Sequence, residues 1–257
     1  MLVIPGCFDA LSARLAEHLG FPATYLAGWT LGAVLGTGEP RTNLTDLLQR
    51  VQEIRRVTTI PAIVDGGAGY GDAGYTAHAV QLAGAGAIHI EDQVYPKRME
   101  YLSGIEHLAA LDEMLARLDA AVLGRGDGPM AIIGRTDAIR AAGSFDEAVK
   151  RANLFFDHGV DAVMAMAYQI EDVELFPKLV KGPLIYAFVE GLRPMLSAKD
   201  LQQLGYRVMI APISALGEAY KATEKVYLSL RETGLPGTEA DSGQAARVDI
   251  QELLGLI

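Results

Sequence analysis

Charged side chains close four short apolar runs of this sequence, at the points where buried strands would end. They are Asp65, Glu91, Arg135 and Glu190. Ionised side chains are rarely left unpaired in a protein interior, so charges in such places indicate a binding pocket or buried ion pairs. If the strand ends meet, three carboxylates and one guanidinium form an oxygen-rich pocket. Such a pocket suits Mg²⁺ or Mn²⁺ together with an anionic ligand.

Two of these residues have competing interpretations. Arg135 could bind a substrate carboxylate through two parallel hydrogen bonds, or it could form a structural ion pair with Asp137 or Glu91. Asp65 precedes the glycine-rich segment 66–71, whose backbone N–H groups could approach an anion. Alternatively, Asp65 only caps the turn that follows it.

The sequence disfavours a zinc site, because zinc usually requires thiolates or clustered imidazoles. Cys7 is the single cysteine, and His18, His78, His107 and His158 show no metal-ligand spacing. His89 differs from the other four because it lies inside an apolar run. It is either a hydrogen-bonded core residue or part of the pocket.

Strand-like runs alternate with amphipathic helical runs along the chain, as in βα units around a parallel sheet. Eight strands are predicted, at 2–4, 24–27, 62–65, 87–91, 131–135, 162–167, 184–189 and 207–211. The predicted helices are 10–19, 44–57, 73–83, 108–123, 145–158, 173–179, 198–204 and 213–233. About 250 residues is the usual size of a (β/α)8 TIM barrel, which this order favours over an open doubly wound sheet.

One domain is expected to span residues 1–257, with 235–257 as a C-terminal tail that packs on a neighbouring element or subunit. The net charge of −10 comes from dispersed acidic residues and offers no surface for nucleic acid. The apolar runs are too short to cross a membrane. A single cysteine and the absence of a signal-peptide pattern predict a cytoplasmic protein.

Several motifs resemble those of the isocitrate lyase and phosphoenolpyruvate mutase superfamily, which includes 2-methylisocitrate lyases, oxaloacetate-cleaving enzymes and phosphonate enzymes. The resemblance covers nearly the whole chain and rests on segments 5–14, 25–30, 65–71, 89–93, 96–98, 134–138 and 189–191. It implies a (β/α)8 barrel, Mg²⁺ held by strand-end acids, and homo-oligomers, dimers or tetramers, that exchange the last helix between subunits.

The resemblance also implies roles for single residues. Asp65 corresponds to a direct metal ligand, and Glu91 to a ligand that acts largely through water. Glu39 aligns with another acid of the metal site, across a variable loop. Residues 28–30 correspond to a substrate loop, although Trp29 could also be ordinary packing. The predicted substrate-binding residues are Gly28, Trp29, Thr30, His89 and Arg135.

Three departures from the family pattern bear on the reaction. Gly67 stands where the family usually has a second metal-binding aspartate, so metal affinity is reduced or lost. Met99 replaces the cysteine that C–C lyases use as general acid and base, in a segment, 96–106, that closes over the site in such enzymes. Gln93 replaces a lysine of the phosphonate mutases. The remaining acid–base candidates are Tyr101, Glu190 and Tyr186.

These features predict Mg²⁺-dependent cleavage of a C–C bond in a small 2-oxo or 2-hydroxy di- or tricarboxylate through an enolate intermediate. Arg135, Glu190 and Tyr101 are the predicted catalytic residues. Because CO₂ leaves unaided once an enolate is stabilised, the missing thiol favours oxaloacetate decarboxylation or hydrolysis over methylisocitrate cleavage. The alternatives are a phosphonomutase and a barrel that binds a 2-oxo acid without turnover.

Overall fold

The computed structural model describes residues 1–192, 194–237 and 242–256, apart from the side chain of Ser242. Its strands are Leu2–Pro5 (β1), Thr24–Leu26 (β2), Ala62–Asp65 (β3), Ala87–Glu91 (β4), Ala131–Thr136 (β5), Ala162–Ala165 (β6), Leu184–Ala187 (β7) and Val208–Ala211 (β8). All paired strands are parallel, and the order in the sheet is β1-β8-β7-β6-β5-β4-β3-β2.

The first two strands close this sheet into a barrel. Gly6 and Tyr25 form a parallel bridge, and the Cys7 N–H donates to the Tyr25 carbonyl oxygen at 2.8 Å. Glycine is required at position 6, because a Cβ there would lie 2.2 Å from the carbonyl oxygen of Pro212. The predicted (β/α)8 barrel is therefore confirmed, and the alternative of an open doubly wound sheet is wrong.

Helices surround the barrel and follow the strands. Those in the described residues are Ala10–His18 (α1), Gly28–Val34 (α2), Leu44–Arg55 (α3), Ala73–Leu82 (α4), Leu111–Arg125 (α5), Ala138–Ala141 (α6), Phe145–Asp157 (α7), Ile170–Leu179 (α8), Ala198–Leu204 (α9), Ser214–Thr233 (α10) and Ser242–Leu253 (α11). Two 3₁₀ turns, Glu39–Arg41 and Met99–Ser103, lie near the carboxyl ends of the strands.

Several helices begin at a side chain that caps them. Asp9, Asn43, Asp72, Ser144 and Ser197 each accept a hydrogen bond from the backbone N–H three residues further on. This bond satisfies one of the backbone donors that the first helical turn leaves free. The capping residues explain why most predicted helix starts agree with the structure.

The structure corrects the prediction that residues 28–30 form a loop, because they begin helix α2. Gly28 and Gly32 weaken the helical signal in the sequence. Gly32 is there for close packing, since a Cβ would lie 2.5 Å from the backbone nitrogen of Glu39. The prediction also placed the start of α5 three residues too early, at 108, and the start of α8 three residues too late, at 173.

Two apolar clusters fill the space inside the barrel and between the barrel and its helices. Alternate residues of each strand enter one cluster or the other, as in any pleated strand. In β5, Ile133 belongs to the inner cluster, whereas Ile132 belongs to the outer one. A Cβ on Gly134 would meet the Phe155 ring of α7, so this glycine also faces outward. Arg135 must therefore point into the barrel.

The tail that follows α10 returns to the start of the chain. The Arg14 Nε in α1 donates to the carbonyl oxygen of Leu253 in α11 at 2.8 Å. That residues 1–257 form one domain with a tail from residue 235 stays a prediction. Among the described residues, no helix combines the length and the apolar character needed to span a membrane.

The contact between β5 and α7 leads to a stability prediction. In Gly134→Ala, the new Cβ would lie 2.7 Å from Phe155 Cδ2, so we expect a loss of about 1–3 kcal/mol in the free energy of unfolding. Urea denaturation followed by circular dichroism measures it. The double variant Gly134→Ala with Phe155→Leu should lose less free energy of unfolding than the sum of the losses in the two single variants. Strictly additive costs would contradict this account.

Candidate active site

The alternation within β3, β4 and β5 brings their charged residues to the inside of the barrel, at one end. Strand pairing places Asp65 beside His89, and Glu91 beside Arg135. All four side chains are almost fully buried. Asp65, Glu91 and Arg135 therefore converge as predicted, whereas Glu190, the third acid that the sequence placed with them, is exposed and does not join them.

A third acid joins the two strand-end acids. Glu39 comes from the 3₁₀ turn after α2, and one carboxylate oxygen from each of Glu39, Asp65 and Glu91 lies within 4.8 Å of the other two. We call these three residues the acidic cluster. Gly28 permits their close approach, because a Cβ there would lie 3.0 Å from the Glu39 carboxylate. The Gly28 and Gly67 N–H groups donate to Asp65 at 3.0 and 2.9 Å.

Two cations balance the acidic cluster. Lys97 Nζ forms an ion pair with Glu39 and lies 2.7 Å from Glu91 Oε1, while Tyr101 presents its ring 4.3 Å from the same ammonium. Arg135 is oriented by Asp137, whose Oδ1 accepts from Nε at 3.2 Å and from Nη2 at 3.0 Å. Arg135 thus makes the structural ion pair considered from the sequence and still directs its other nitrogen, Nη1, at the cluster.

Nη1 of Arg135 lies 3.4 Å from Glu91 Oε2 and 3.9 Å from Asp65 Oδ2, within ion-pair range. Neither carboxylate oxygen of Glu91 has a hydrogen-bond partner, because Lys97 and Arg135 approach without hydrogen-bond geometry. Buried oxygens in this state are suited to accept a further donor or a cation.

Burial and charge act differently on the acids of the cluster. Burial opposes the charge of Asp65, but His89, Arg135 and Lys97 hold the pKa of this carboxyl below its usual range. For Glu91 burial outweighs Lys97 and Arg135, so its pKa is raised. Burial lowers the pKa of His89 to about 4 against the opposing charge of Asp65. At neutral pH the ring is therefore neutral, and the two cations supply the positive charge.

The acidic cluster fits a hard divalent cation. Three carboxylates offer only oxygen ligands, and two oxygens of Glu91 have no hydrogen-bond partner. Mg²⁺ and Mn²⁺ prefer such ligands, whereas zinc prefers imidazole and thiolate. His89 does not join the cluster as a ligand; its Nε2 lies 2.6 Å from the Tyr25 hydroxyl and 3.4 Å from Asp65 Oδ1.

A cavity of about 170 Å³ opens beside the acidic cluster. Asp65, Glu39, Arg135 and Tyr101 contribute polar groups to its wall, and so do Glu106, Arg140 and Tyr168. Apolar side chains from the ends of β6, β7 and β8 and from the segments that follow line the opposite side; they are Met164, Met166, Ala187, Val189, Leu192, Ile210, Pro212 and Ile213. The cavity can therefore hold a small anion against charged groups on one side and an apolar wall on the other.

The predicted site residues are distributed unevenly around this cavity. Trp29 lines it and is 43% exposed. Thr30 is buried, and its hydroxyl donates to the Pro212 carbonyl oxygen at 3.3 Å. Gly28 donates its N–H to Asp65 and is not among the residues that line the cavity. Of the predicted substrate-binding residues, Trp29 and Arg135 thus line the cavity, and Gly28, Thr30 and His89 do not. That any of them binds substrate stays a prediction.

The three acid–base candidates also lie in different places. Tyr101 lines the cavity, and burial raises the pKa of its phenol well above the usual value. Glu190 is exposed, accepts a hydrogen bond from Ser214 and is not among the residues that line the cavity. Tyr186 belongs to the outer core cluster, and its hydroxyl donates to the Pro194 carbonyl oxygen. The structure brings only Tyr101 to the site.

Several residues that contact the acidic cluster or line the cavity were not predicted as site residues. Lys97 lies in a motif that was recognised, yet it was not assigned a contact. Glu106 and Arg140 lie outside the strand ends, so strand patterning could not find them. Tyr168 directly follows the predicted strand 162–167, and its position at a strand end was the signal that could have found it. For Glu39 the sequence offered only an alignment with an acid of the family's metal site, and this alignment crosses a variable loop after β2.

Comparisons with known proteins agree with this geometry. The family model described as phosphoenolpyruvate phosphomutase matches residues 1–231. A 2-methylisocitrate lyase of Aeropyrum pernix is 34% identical over 99% of this chain and 83% of its own length. The 2,3-dimethylmalate lyase of Eubacterium barkeri is 30% identical over 100% of this chain and 90% of its own.

Among solved structures, oxaloacetate acetylhydrolase in complex with the inhibitor 3,3-difluorooxalacetate superposes with a TM-score of 0.91 at 29% identity. The match covers 100% of this chain and 89% of that one. Fold, motifs and relatives agree: the chain belongs to the isocitrate lyase and phosphoenolpyruvate mutase superfamily. Within that superfamily it is a carbon–carbon lyase, an enzyme that cleaves carboxylates.

The glycine beside the acidic cluster leads to a second prediction. Gly67 has φ +51°, a conformation that aspartate tolerates, and a Cβ would meet nothing within 4 Å. Gly67→Asp should therefore add a ligand and raise Mn²⁺ affinity at least tenfold, as measured by calorimetry. Gly143→Asp, at an exposed position with φ +63° and equally open space, is the matched control. Equal affinities in both variants would contradict a metal site here.

Proposed function

We propose that this enzyme cleaves a C–C bond in a small 2-oxo or 2-hydroxy di- or tricarboxylate with a divalent cation, Mg²⁺ or Mn²⁺, at the acidic cluster. The observation that carries this proposal is the convergence of Asp65, Glu91 and Glu39 with Arg135 beside one cavity. An anionic substrate and a cation can meet there. The names of the relatives support the same class of substrate.

Arg135 would bind the substrate carboxylate next to the bond that breaks. Asp137 fixes its guanidinium plane and is itself held by Gln93 Nε2 at 2.8 Å and by its own N–H, which donates to Asp92. A guanidinium fixed in this way is preorganised, so negative charge that develops on the substrate meets an oriented donor. Tyr101 would donate a hydrogen bond, because its raised pKa keeps it protonated.

Asp65, Glu91 and Glu39 would hold the divalent cation. When bound, such an ion polarises a substrate oxygen and stabilises the negative charge of an enolate. The remaining walls of the cavity act by excluding water, since the 3₁₀ turn Met99–Ser103 contributes Tyr101 on one side and β6–β8 contribute apolar side chains on the other. Low polarity around the site strengthens each of the charged contacts.

Oxaloacetate, 2-methylisocitrate and 2,3-dimethylmalate are the substrates to test. A phosphonomutase and a binding barrel without turnover are not favoured, because the relatives named above cleave carboxylates.

A cytoplasmic location stays a prediction.

The role of Arg135 can be tested directly. Turnover followed by proton NMR should require Mg²⁺ or Mn²⁺, stop with a chelator and return when the metal is restored. Arg135→Lys keeps the charge but loses the planar fork, so kcat/KM should fall about 10²–10³-fold. Arg125→Lys, at a surface ion pair with Asp161, is the control and should change kcat/KM less than twofold. Metal-independent turnover, or full activity of Arg135→Lys, would refute the proposal.

We further propose that the enzyme forms a homo-oligomer through its C-terminal helices. None of the 20 residues of α10 is buried within one chain. Tyr220 and Tyr227 lie seven residues apart on one face of α10, and they are 60% and 67% exposed. Helices with an exposed apolar face usually pack against a partner. Whether the last helix is exchanged between subunits stays a prediction.

Light scattering after size-exclusion chromatography tests this assembly. The wild type should show a mass two or four times that of one chain. Changing both tyrosines, in Tyr220→Glu with Tyr227→Glu, should shift it to the monomer because charge is placed on the apolar face. The exposed Lys225→Glu, on a different face, should leave the mass unchanged. A monomeric wild type at micromolar concentration would disprove the assembly.

A further inference from the structure

A buried carboxyl group that the proposed mechanism does not use lies on the cavity wall. Glu106 follows the 3₁₀ turn Met99–Ser103, lines the cavity together with Arg135 and Tyr101, and has a side chain only 3% exposed. Its Oε1 lies 3.4 Å from Nη1 of Arg140, whereas its Oε2 is buried without a hydrogen-bond partner. A carboxyl oxygen in this situation is costly unless it carries a proton or meets a ligand.

Cleavage of a 2-hydroxy acid between its second and third carbons demands a proton donor. The hydroxyl proton passes to water as the hydroxyl oxygen becomes a carbonyl, and the electron pair of the broken C–C bond stays on the departing fragment. That fragment is a carbanion next to a carboxylate, and it must gain a proton to leave as a carboxylic acid product. A positioned acid typically accelerates such a transfer by about 10²–10⁴-fold.

Other groups are either poorly placed or too weakly acidic to supply this proton. The single cysteine, Cys7, is fully buried after β1, and burial raises the pKa of its thiol to about 11. Glu190 is exposed and bonded to Ser214. Tyr101 lines the cavity, but its raised pKa makes it a weak acid near neutral pH. The acids of the cluster are directed at the cation site.

We propose that Glu106 is the general acid that protonates the departing fragment in a retro-aldol cleavage. The proton moves from the Glu106 carboxyl to the carbon of the fragment, a C–H bond forms, and the resulting carboxylate regains a proton from water. This inference rests on the proposed function and narrows it to 2-hydroxy acids, because decarboxylation alone needs no such donor.

The electrostatic surroundings of Glu106 agree with this role. Burial, together with the charge of Asp137, raises the pKa of Glu106 to about 7, although nearby cations oppose the shift. A pKa near the working pH lets a carboxyl both donate and recover a proton. The titratable and charged groups around it are Lys97, Tyr101, Arg135, Asp137, Arg140 and Tyr168.

Arg140 provides the competing explanation, in which Glu106 merely positions a substrate-binding arginine. Arg140 also packs over the Tyr168 ring at 5.5 Å, so its side chain has a second support. The two explanations differ in their kinetic effects. Loss of an acid lowers kcat and changes the pH profile, whereas loss of a positioning contact raises KM and leaves the pH profile in place.

The test uses the full chain with Mg²⁺ and measures cleavage of 2-methylisocitrate and 2,3-dimethylmalate from pH 5.5 to 9. In the wild type, kcat should fall as the pH rises above about 7, because the protonated carboxyl is the active form. Glu106→Gln should lower kcat at least 100-fold and lose this alkaline limb. Glu106→Asp should retain part of the activity and keep the limb.

Glu100→Gln is the matched control, since Glu100 lies in the same segment but is exposed and pairs with His107. It should change kcat less than twofold. Calorimetric binding of oxalate with Mg²⁺ checks that each variant keeps a folded site. A Glu106→Gln enzyme with kcat within threefold of wild type, or with only KM raised, would overturn the role of Glu106 and leave the proposed function standing. A wild type that cleaves oxaloacetate but neither hydroxy acid would also overturn it, and one that cleaves nothing would overturn both.

Discussion

The rest of the site depends on the close approach of three buried carboxylates, those of Glu39, Asp65 and Glu91. One oxygen of each lies within 4.8 Å of the other two. At about 4 Å, two like charges repel by about 4 kcal/mol where the effective dielectric constant is about 20. The site offsets this repulsion with the ammonium of Lys97 and the guanidinium of Arg135. Removing either cation would leave a buried negative charge without a partner, which is strongly destabilising. The side chains around Lys97 and Arg135 must therefore hold both cations in place.

The contacts around the two cations follow from that requirement. Asp137 fixes two nitrogens of Arg135, so the third is aimed at the acids and the cavity. Tyr101 places its ring against Lys97 and closes the site on that side. Backbone N–H groups at positions 28 and 67 stabilise the ionised form of Asp65 without adding a side chain. The same contacts that hold the charges together therefore also shape the surface that a substrate would meet.

The two sides of the cavity differ in a way that suits catalysis. The ends of β3, β4 and β5 carry the charged groups, and the cavity residues at the ends of β6, β7 and β8 are apolar except Tyr168. An apolar wall keeps water away from the charged side, so oriented donors and acids act more strongly there than they would in solvent. The mouth of the barrel thus separates binding and charge stabilisation on one side from exclusion of water on the other.

The sequence by itself determined the barrel, its strands and the central pair Asp65 and Arg135, because these depend on local patterns. Alternation along a strand decides which side chains face inward, and the carboxyl ends of parallel strands share one rim. Tertiary structure alone decided that Glu39 and Lys97 complete the charge balance, that Glu106 lines the cavity and that Glu190 does not. These residues lie in connecting segments, where no periodicity links position in the chain to position in space. Their placement follows from packing between segments that are distant in sequence.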